Sequence, residues 1–309
     1  MLLRKGNYHG WKYHSPKRHL PLRVLKGSKP KGSCKHLLWR HRPAHGQVTT
    51  QGHSLRSRGL TLAKTLYWDC ETAPALVYTF SFFKTFIGLD QVVEHPRMLG
   101  FSYLWEGQKR AKWVSEFDHT EGRDGMLKEL HALLDEADIV VTYNGKKFDA
   151  KWAEGEFLVE GMTPPSPYHH VDLYREIRAH SAFPSGKLDY AAWRLLDDRK
   201  VHHAGFSMWK GCMDGDEKAW REMAKYAKKD TELLPPLHDI LRPYIKSHPS
   251  IPLLDNNESM ACPKCGSDHV TRRGYLTTAV SKFQRFQCQD CGGWFRGSRR
   301  VGTTGGRNA

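Results

Sequence analysis

The first 65 residues lack any acidic side chain, although they contain 15 of the 48 Lys and Arg residues of the 309-residue chain. The remainder balances 33 basic against 33 acidic residues, so the formal charge of +15 arises in the N-terminal segment. This segment also shows no sustained hydrophobic period, which predicts a basic, disordered extension over residues 1–62. Its role stays open among a phosphate-binding arm, a targeting peptide and translated sequence upstream of the true start.

The sequence also lacks a long apolar run and the hydrophobic core of a secretion signal. A membrane-spanning helix needs about 18 or more consecutive apolar residues, so no membrane partner is expected. The hydrophobic content of 39% is nevertheless sufficient for a packed core. These features predict a protein of the cytoplasm, or of the host cytoplasm if phage-encoded, where cysteines stay reduced.

The pattern of apolar residues predicts four domains or segments after the extension. Strands alternate with helices over residues 63–246, which indicates an α/β fold with a mixed sheet flanked by helices. Residues 247–259 contain Pro and Asn and are typical of a linker. A separate small module is expected at 260–300, followed by a disordered tail at 301–309.

The expected elements of the α/β domain follow from periods of two and of 3.6 residues. The predicted strands are residues 66–70, 98–105, 111–117 and 139–143, with a weaker one at 171–174. The predicted helices are residues 125–136, 150–159, 188–196, 216–234 and 237–245.

Asp69 and Glu71 end the apolar run that begins at Thr65. Side chains alternate along a strand, so these two carboxylates should share one face. Adjacent carboxylates repel each other unless a multivalent cation neutralises them. The pair therefore predicts a site for a hard metal ion, and the alternative is a solvated strand end.

Two further acidic motifs follow along the chain. Asp149 lies just after the apolar strand at 139–143, where active-site residues of open α/β sheets occur, although it would also serve as a helix N-cap. Tyr226 and Asp230 are four residues apart on the apolar face of a predicted helix. A carboxylate on a buried face needs a partner or a metal, whereas Tyr226 alone would suit a core position.

In chain order the three motifs are Asp-x-Glu (69–71), Asn-x3-Phe-Asp (144–149) and Tyr-x3-Asp (226–230). This set resembles the DEDD superfamily of 3′–5′ exonucleases, in the subclass with tyrosine in the third motif. The chain looks most like the phage-type exonucleases related to the proofreading domains of DNA polymerases. The resemblance covers about residues 65–245 and implies an RNase H-like fold.

The resemblance also implies hydrolysis of phosphodiester bonds by a two-metal mechanism. Four carboxylates would hold two Mg²⁺ or Mn²⁺ ions: Asp69, Glu71, Asp149 and Asp230. Tyr226 would orient the attacking water, and Asn144 and Phe148 would contact the terminal nucleotide. The expected substrate is DNA with a single-stranded 3′ end. The alternatives are an exoribonuclease and an inactive nucleic-acid-binding adaptor.

Two other groups of polar residues between these motifs are interpreted as structural. Asp172 lies in a weak strand near the site, but the set of four carboxylates is already complete without it. His202, His203 and Cys212 lack the regular spacing of a metal site and are expected in a loop.

Two Cys-x2-Cys pairs, each followed by glycine, lie near the C terminus and are separated by 22 residues. Their members are Cys262, Cys265, Cys288 and Cys291. Four thiolates form a closed, tetrahedral structural zinc site, so the pairs predict one Zn²⁺. Two disulfides are the alternative, and a reducing compartment disfavours them.

The module around these cysteines resembles a zinc ribbon of the kind found in phage and transposition proteins. Strands are predicted at residues 270–275 and 283–287, where basic and aromatic side chains alternate. Such residues can hold phosphates and stack on unpaired bases, which favours nucleic-acid binding. The alternatives are packing of a small core and docking of a replication or recombination protein.

Overall fold

The computed structural model describes residues 63–83, 86–257 and 259–306. These residues all fall within one compact unit that spans residues 57–309. The predicted N-terminal extension and the last three residues of the predicted tail lie outside the described residues.

The described residues form ten strands and eight α-helices. The strands are β1 (Thr65–Thr72), β2 (Leu76–Val77), β3 (Val92–Glu94), β4 (Met98–Trp105), β5 (Lys112–Ser115), β6 (Ile139–Thr142), β7 (His169–Asp172), β8 (Val270–Thr277), β9 (Ser281–Cys288) and β10 (Trp294–Thr303). The helices are α1 (Gly122–Glu136), α2 (Asp149–Val159), α3 (Leu173–His180), α4 (Leu188–Leu196), α5 (Phe206–Met213), α6 (Glu217–Glu232), α7 (Leu234–Leu241) and α8 (Ile251–Leu254).

The large sheet has the strand order β5-β4-β1-β6-β7. Strand β1 is central; it pairs antiparallel with β4 and parallel with β6. Its apolar residues are buried on both faces, which explains why the sequence shows a nearly continuous apolar run rather than strict alternation. The predicted mixed sheet flanked by helices is confirmed.

Alternation along β1 divides the core into two layers. Leu66 and Trp68 pack against α1 and α2 on one face. Tyr67 packs on the opposite face, in a cluster that includes residues of α3, α4 and α7. Asp69 and Glu71 are two and four residues after Tyr67 on the same strand, so their side chains lie on the same face as Tyr67.

Several helix boundaries differ from those predicted. Helices α3 and α5 were not predicted, because both are short and α5 contains Gly211 in its interior. The predicted helix 216–234 ends earlier, at Glu232. The next helix starts earlier than predicted because Pro235 and Pro236 occupy its first turn, where missing N–H groups cost little.

The C-terminal module is an antiparallel sheet in the order β10-β9-β8. Strand β10 continues to Thr303, which corrects the predicted start of a disordered tail at residue 301. The predicted linker is also partly structured: it contains α8, and the amide of Ile251 donates a hydrogen bond of 2.9 Å to the carbonyl of Pro263. The ammonium of Lys264 donates to the carbonyl of Pro243. The C-terminal module therefore contacts both the larger domain and the linker, so the two parts are joined by more than a single extended segment.

Throughout the described ranges, no helix has both the length and the apolar composition that a bilayer crossing demands.

Candidate active site

Strand β1 places Asp69 and Glu71 at the end of the sheet where the chain leaves towards β2. Asp69 is partly buried and Glu71 is only 8% exposed. Cys70, between them, packs in the opposite layer among the residues that face α1 and α2. The structure thus gives the two carboxylates the common face that the sequence predicted.

Asp149 lies next to this pair because the backbone amide of Cys70 donates a 2.9 Å hydrogen bond to its Oδ1. The residue is 1% exposed and is the first residue of α2. The N-cap position belongs to Phe148, so the alternative interpretation of Asp149 as an N-cap is wrong. Its side chain instead contacts the strand between the other two acids.

Helix α6 lies across the same face, and Ser102 on β4 fixes its position. Ser102 pairs with Asp69 across the ladder. Its hydroxyl donates to the carbonyl of Ala227 at 2.8 Å and also contacts the hydroxyl of Thr231. These contacts hold α6 on both sides of Asp230, which is 2% exposed and therefore points towards the sheet.

Lys200 joins this site, although the sequence did not single it out. Its ammonium nitrogen lies 2.5 Å from Oδ2 of Asp230 and donates a 2.8 Å hydrogen bond to the hydroxyl of Tyr226. The same nitrogen lies 4.7 Å from the centre of the Tyr226 ring. The other oxygen of Asp230, Oδ1, is buried and has no hydrogen-bond partner in the described part of the chain.

Two contacts hold the loop that carries Lys200. The backbone amide of Lys200 donates to Asp189 on α4 at 3.1 Å. The ammonium of Lys229 on α6 donates to Asp198 at 2.6 Å. No local pattern marks this lysine, because the contacts that place it come from two helices separate in sequence.

Burial and mutual repulsion raise the pKa values of the acids. Burial, followed by the charges of Asp149 and Glu71, raises the pKa of Asp69 well above its ordinary value. Burial and the charge of Asp230 raise the pKa of Glu71 to about 8, with Lys200 opposing the rise. Burial raises the pKa of Asp149 to about 6. The carboxylates are therefore close enough to destabilise each other's ionised forms, as expected where a cation would bind.

Burial, followed by the charge of Asp230, also raises the pKa of Tyr226, so its phenol stays protonated at neutral pH. The ring of His203 lies edge-on to it, with the ring centres 4.6 Å apart. His202 and His203 lie in a loop as expected, whereas Cys212 is buried in α5. Within the described residues these three form no metal cluster.

The turn before α2 contains the two predicted substrate contacts. Asn144 adopts a left-handed backbone conformation with φ of 68°. Its backbone amide donates a 2.8 Å hydrogen bond to Oδ1 of Asp172. Asp172 also caps α3 by accepting from the amide of Tyr174, in keeping with the structural role expected for it. Phe148 is 41% exposed and packs edge-on against Trp152. Phe148 directly precedes Asp149 in the sequence.

The four C-terminal cysteines form a second cluster. Their sulfur atoms all lie within 4.8 Å of one another, and among the described residues no other group of three or more potential metal ligands, the four carboxylates included, lies that close together. The Cys262–Cys291 and Cys265–Cys288 sulfur distances are both 3.7 Å. Tetrahedral Zn–S bonds of about 2.3 Å would place sulfurs about 3.8 Å apart, so the thiols fit this ion. None of the described cysteines forms a disulfide.

The glycine after each cysteine pair adopts a left-handed backbone conformation. Gly266 and Gly292 have φ angles of 77° and 75°. This left-handed region is accessible to glycine at little cost, and it turns the backbone back towards the sulfur atoms.

A family model of the RNase H superfamily matches residues 88–242, from just before β3 to the end of α7. No curated protein matches the chain. The match covers half of the chain and confirms the predicted RNase H-like fold, although Asp69 and Glu71 lie before its first residue. RNase H-like nucleases use divalent metals, and this fold supports a nuclease-like function in general. The chain therefore belongs to the RNase H superfamily.

Proposed function

We propose that this protein is a metal-dependent 3′–5′ exonuclease that hydrolyses DNA from a single-stranded 3′ end. The observation that supports the proposal is the meeting of five side chains from three distant segments on one face of the sheet. They are Asp69, Glu71, Asp149, Tyr226 and Asp230. Such a group of buried acids, with raised pKa values and at a strand end, is typical of a catalytic centre.

The four carboxylates would hold two Mg²⁺ or Mn²⁺ ions. Hard oxygen ligands suit these ions, and the partnerless Oδ1 of Asp230 offers a free ligand atom. When bound, the ions would activate water and neutralise charge on the scissile phosphate. Lys200 holds one positive charge at the same place, so the protein itself already compensates part of the negative charge.

The residues around the carboxylates have separate tasks. Tyr226, which stays protonated, would orient the attacking water through its hydroxyl. Phe148 presents an exposed ring on which the terminal base would stack, and Asn144 lies at the start of the same turn. Asp149 follows directly, so a nucleotide held by this turn would lie next to the carboxylates.

The C-terminal sheet would be a structural zinc ribbon that binds nucleic acid outside the active site. Its basic side chains lie over aromatic rings: Lys282 is 4.1 Å from the centre of Tyr275, and Arg285 is 4.8 Å from that of Trp294. Tyr275 and Trp294 are about half exposed. In a single-stranded nucleic acid, the phosphates would bind these cations and the unpaired bases would stack on the exposed rings. Docking of a replication or recombination protein is the rival use of this surface.

Digestion of matched single-stranded DNA, duplex DNA and RNA, each labelled at the 5′ end, tests the proposal. With Mg²⁺ or Mn²⁺ we expect a ladder that shortens from the 3′ end, fastest on single-stranded DNA. The Asp69→Ala variant should bind the same substrates without cleaving them. Faster digestion of RNA would make the protein an exoribonuclease. Binding without any metal-dependent cleavage by the parent would make it an adaptor.

A further inference from the structure

Strands β2 and β3 form a small hairpin that projects from the catalytic end of the sheet. Glu71, near the end of β1, still pairs with β4. Strand β2 begins at Leu76, only five residues further along the chain. Tyr78 and Gln91 pair where the two strands meet the connecting segment: the backbone amide of Tyr78 donates a 2.9 Å hydrogen bond to the carbonyl of Gln91. The side chain of Gln91 donates back to the carbonyl of Tyr78 at 3.0 Å. These hydrogen bonds hold the two ends of the connection between β2 and β3 together, and the structure describes residues 79–83 and 86–90 of it.

The loop exposes aromatic rings rather than burying them. The exposed rings, here named the aromatic tip, are Tyr78, Phe80, Phe82, Phe83 and Phe86. Phe82 and Phe86 are more than 90% exposed, and Phe83 is 85% exposed. Several large apolar residues exposed in one short stretch of chain mark an interaction surface, whereas single exposed apolar residues are ordinary.

A groove links the base of this hairpin to the start of α2. Its cavity of about 390 Å³ is lined by Pro96, just after β3, and by Lys147, Phe148, Lys151 and Trp152. Lys147 and Lys151 are exposed, and within the described ranges neither side chain forms an ion pair. The groove therefore presents two exposed lysines next to Phe148, and its remaining lining is Gly155, Glu156 and Val159, of which Glu156 pairs with Arg123.

We propose that the aromatic tip stacks on unpaired bases of a nucleic-acid strand whose phosphates run along Lys147 and Lys151 into the carboxylate cleft. Aromatic faces bind bases of any sequence, and lysines bind phosphates, so the two features together match one single strand. Leu89, in the same loop, is also exposed, so the choice of partner rests on the charges of the exposed Lys147 and Lys151, which favour a polyanionic strand over an apolar protein surface. This inference deepens the proposed function and rests on it, because it assigns the strand's path to the same site.

Binding to an oligothymidylate of about twelve nucleotides, measured by fluorescence anisotropy without added Mg²⁺ or Mn²⁺, tests the proposal without metal-dependent cleavage and keeps the zinc site loaded. Two triple variants are compared, with Phe82, Phe83 and Phe86 all replaced by leucine or all by serine. Leucine keeps the apolar character and removes the flat ring. We expect both variants to bind about tenfold or more weakly than the parent, given the stacking energy per base.

The control is Leu253→Ser, which removes an exposed apolar residue of α8 and should leave the affinity unchanged. Because the tip is exposed, all variants should melt at the parental temperature. Parental affinity in the leucine variant would overturn the proposal and identify an apolar docking surface instead. Equal binding of the parent to the oligonucleotide and to a blunt duplex would also overturn it.

A separate assay keeps this inference distinct from the proposed exonuclease activity. Cleavage of a trinucleotide by the parent with Mn²⁺ is measured for this purpose, because a trinucleotide reaches only the carboxylate cleft. If the parent cuts no substrate, the proposed function fails whatever the anisotropy shows. If the parent cuts normally and the variants bind normally, the stacking proposal alone fails.

Discussion

The ammonium of Lys200 lies 2.5 Å from Oδ2 of Asp230, at the centre of a group of carboxylates. Asp230 is buried on α6, whereas Lys200 is 26% exposed and comes from the loop before α5. Burial raises the pKa of Asp230, and the charge of Lys200 opposes that rise. The lysine therefore supplies the positive charge that the acids need when no metal is bound.

Replacing Lys200 by methionine should destabilise the metal-free protein at neutral pH, because Asp230 would stay buried without a partner. We expect a loss of roughly 1 to 3 kcal/mol in the free energy of unfolding, below the range for fully buried pairs since Lys200 is partly exposed. Urea unfolding in EDTA measures it. Lys210→Met, which breaks an exposed pair with Asp214, is the control and should cost about 0.5 kcal/mol or less. Equal stability of both variants would show that the Lys200 pair contributes nothing.

Replacing Glu71 by glutamine should stabilise the metal-free protein at alkaline pH. The pKa of Glu71 in the fold is about 8, above its ordinary 4.5, so the folded state binds more protons than the unfolded state between these values. Stability of the parent in EDTA should therefore fall as the pH rises from 4.5 to 8, and the variant should show less of this loss. At pH 8 its melting temperature should exceed the parent's by about 2 °C or more.

Adding Mn²⁺ separates this electrostatic effect from simple repacking. The ion should raise the melting temperature of the parent more than that of the Glu71 variant, because the variant has lost a ligand. Glu217→Gln, on an exposed side chain, should behave as the parent. A pH-independent difference between parent and Glu71→Gln would contradict the predicted charge repulsion.

Replacing Tyr226 by phenylalanine removes a hydroxyl that accepts a hydrogen bond from Lys200 and keeps the packed ring. We expect cleavage to slow by about 100-fold, the range of a positioned proton-handling group, with little change in substrate affinity. Single-turnover digestion of labelled DNA measures the step. Tyr244→Phe, on a half-exposed ring, is the control. An unchanged cleavage rate in Tyr226→Phe would show that the Tyr226 hydroxyl has no part in the reaction and that the residue only packs in the core.

Replacing Cys288 by serine should release about one zinc ion per chain, because four thiolates are needed to close the site. The sheet of β8, β9 and β10 should then unfold, since structural zinc supplies the folding energy of such small modules. Elemental analysis and zinc release to a chromophoric chelator measure the loss. Cys212→Ser, in α5 and away from the cluster, should keep its zinc.

The same Cys288 variant tests the role of the C-terminal sheet. Short oligonucleotides reach only the carboxylates and should be cut at nearly the parental rate, whereas long substrates should bind more weakly. Lys264 contacts Pro243 of the larger domain, and Pro263 contacts Ile251 of α8, so unfolding of the module could also disturb that domain. Equal losses on short and long substrates would mean that the zinc module supports the active site itself.

Local geometry explains what the sequence alone determined. A period of two on β1 put Asp69 and Glu71 on one face, and a separation of four put Tyr226 and Asp230 on one face of α6. The spacing of the cysteines and the glycines after them likewise defined a four-thiol site. Each of these relationships depends only on backbone geometry over a few residues.

The tertiary structure decided which of these faces meet. The contact of Ser102 with Ala227 sets α6 over β1, and Lys200 reaches Asp230 only because Asp189 and Lys229 hold its loop. The exposure of the aromatic tip could not be predicted either, since the same phenylalanines could have formed part of a core. Contacts between residues far apart in sequence depend on how whole elements pack, and a local period carries no information about that packing.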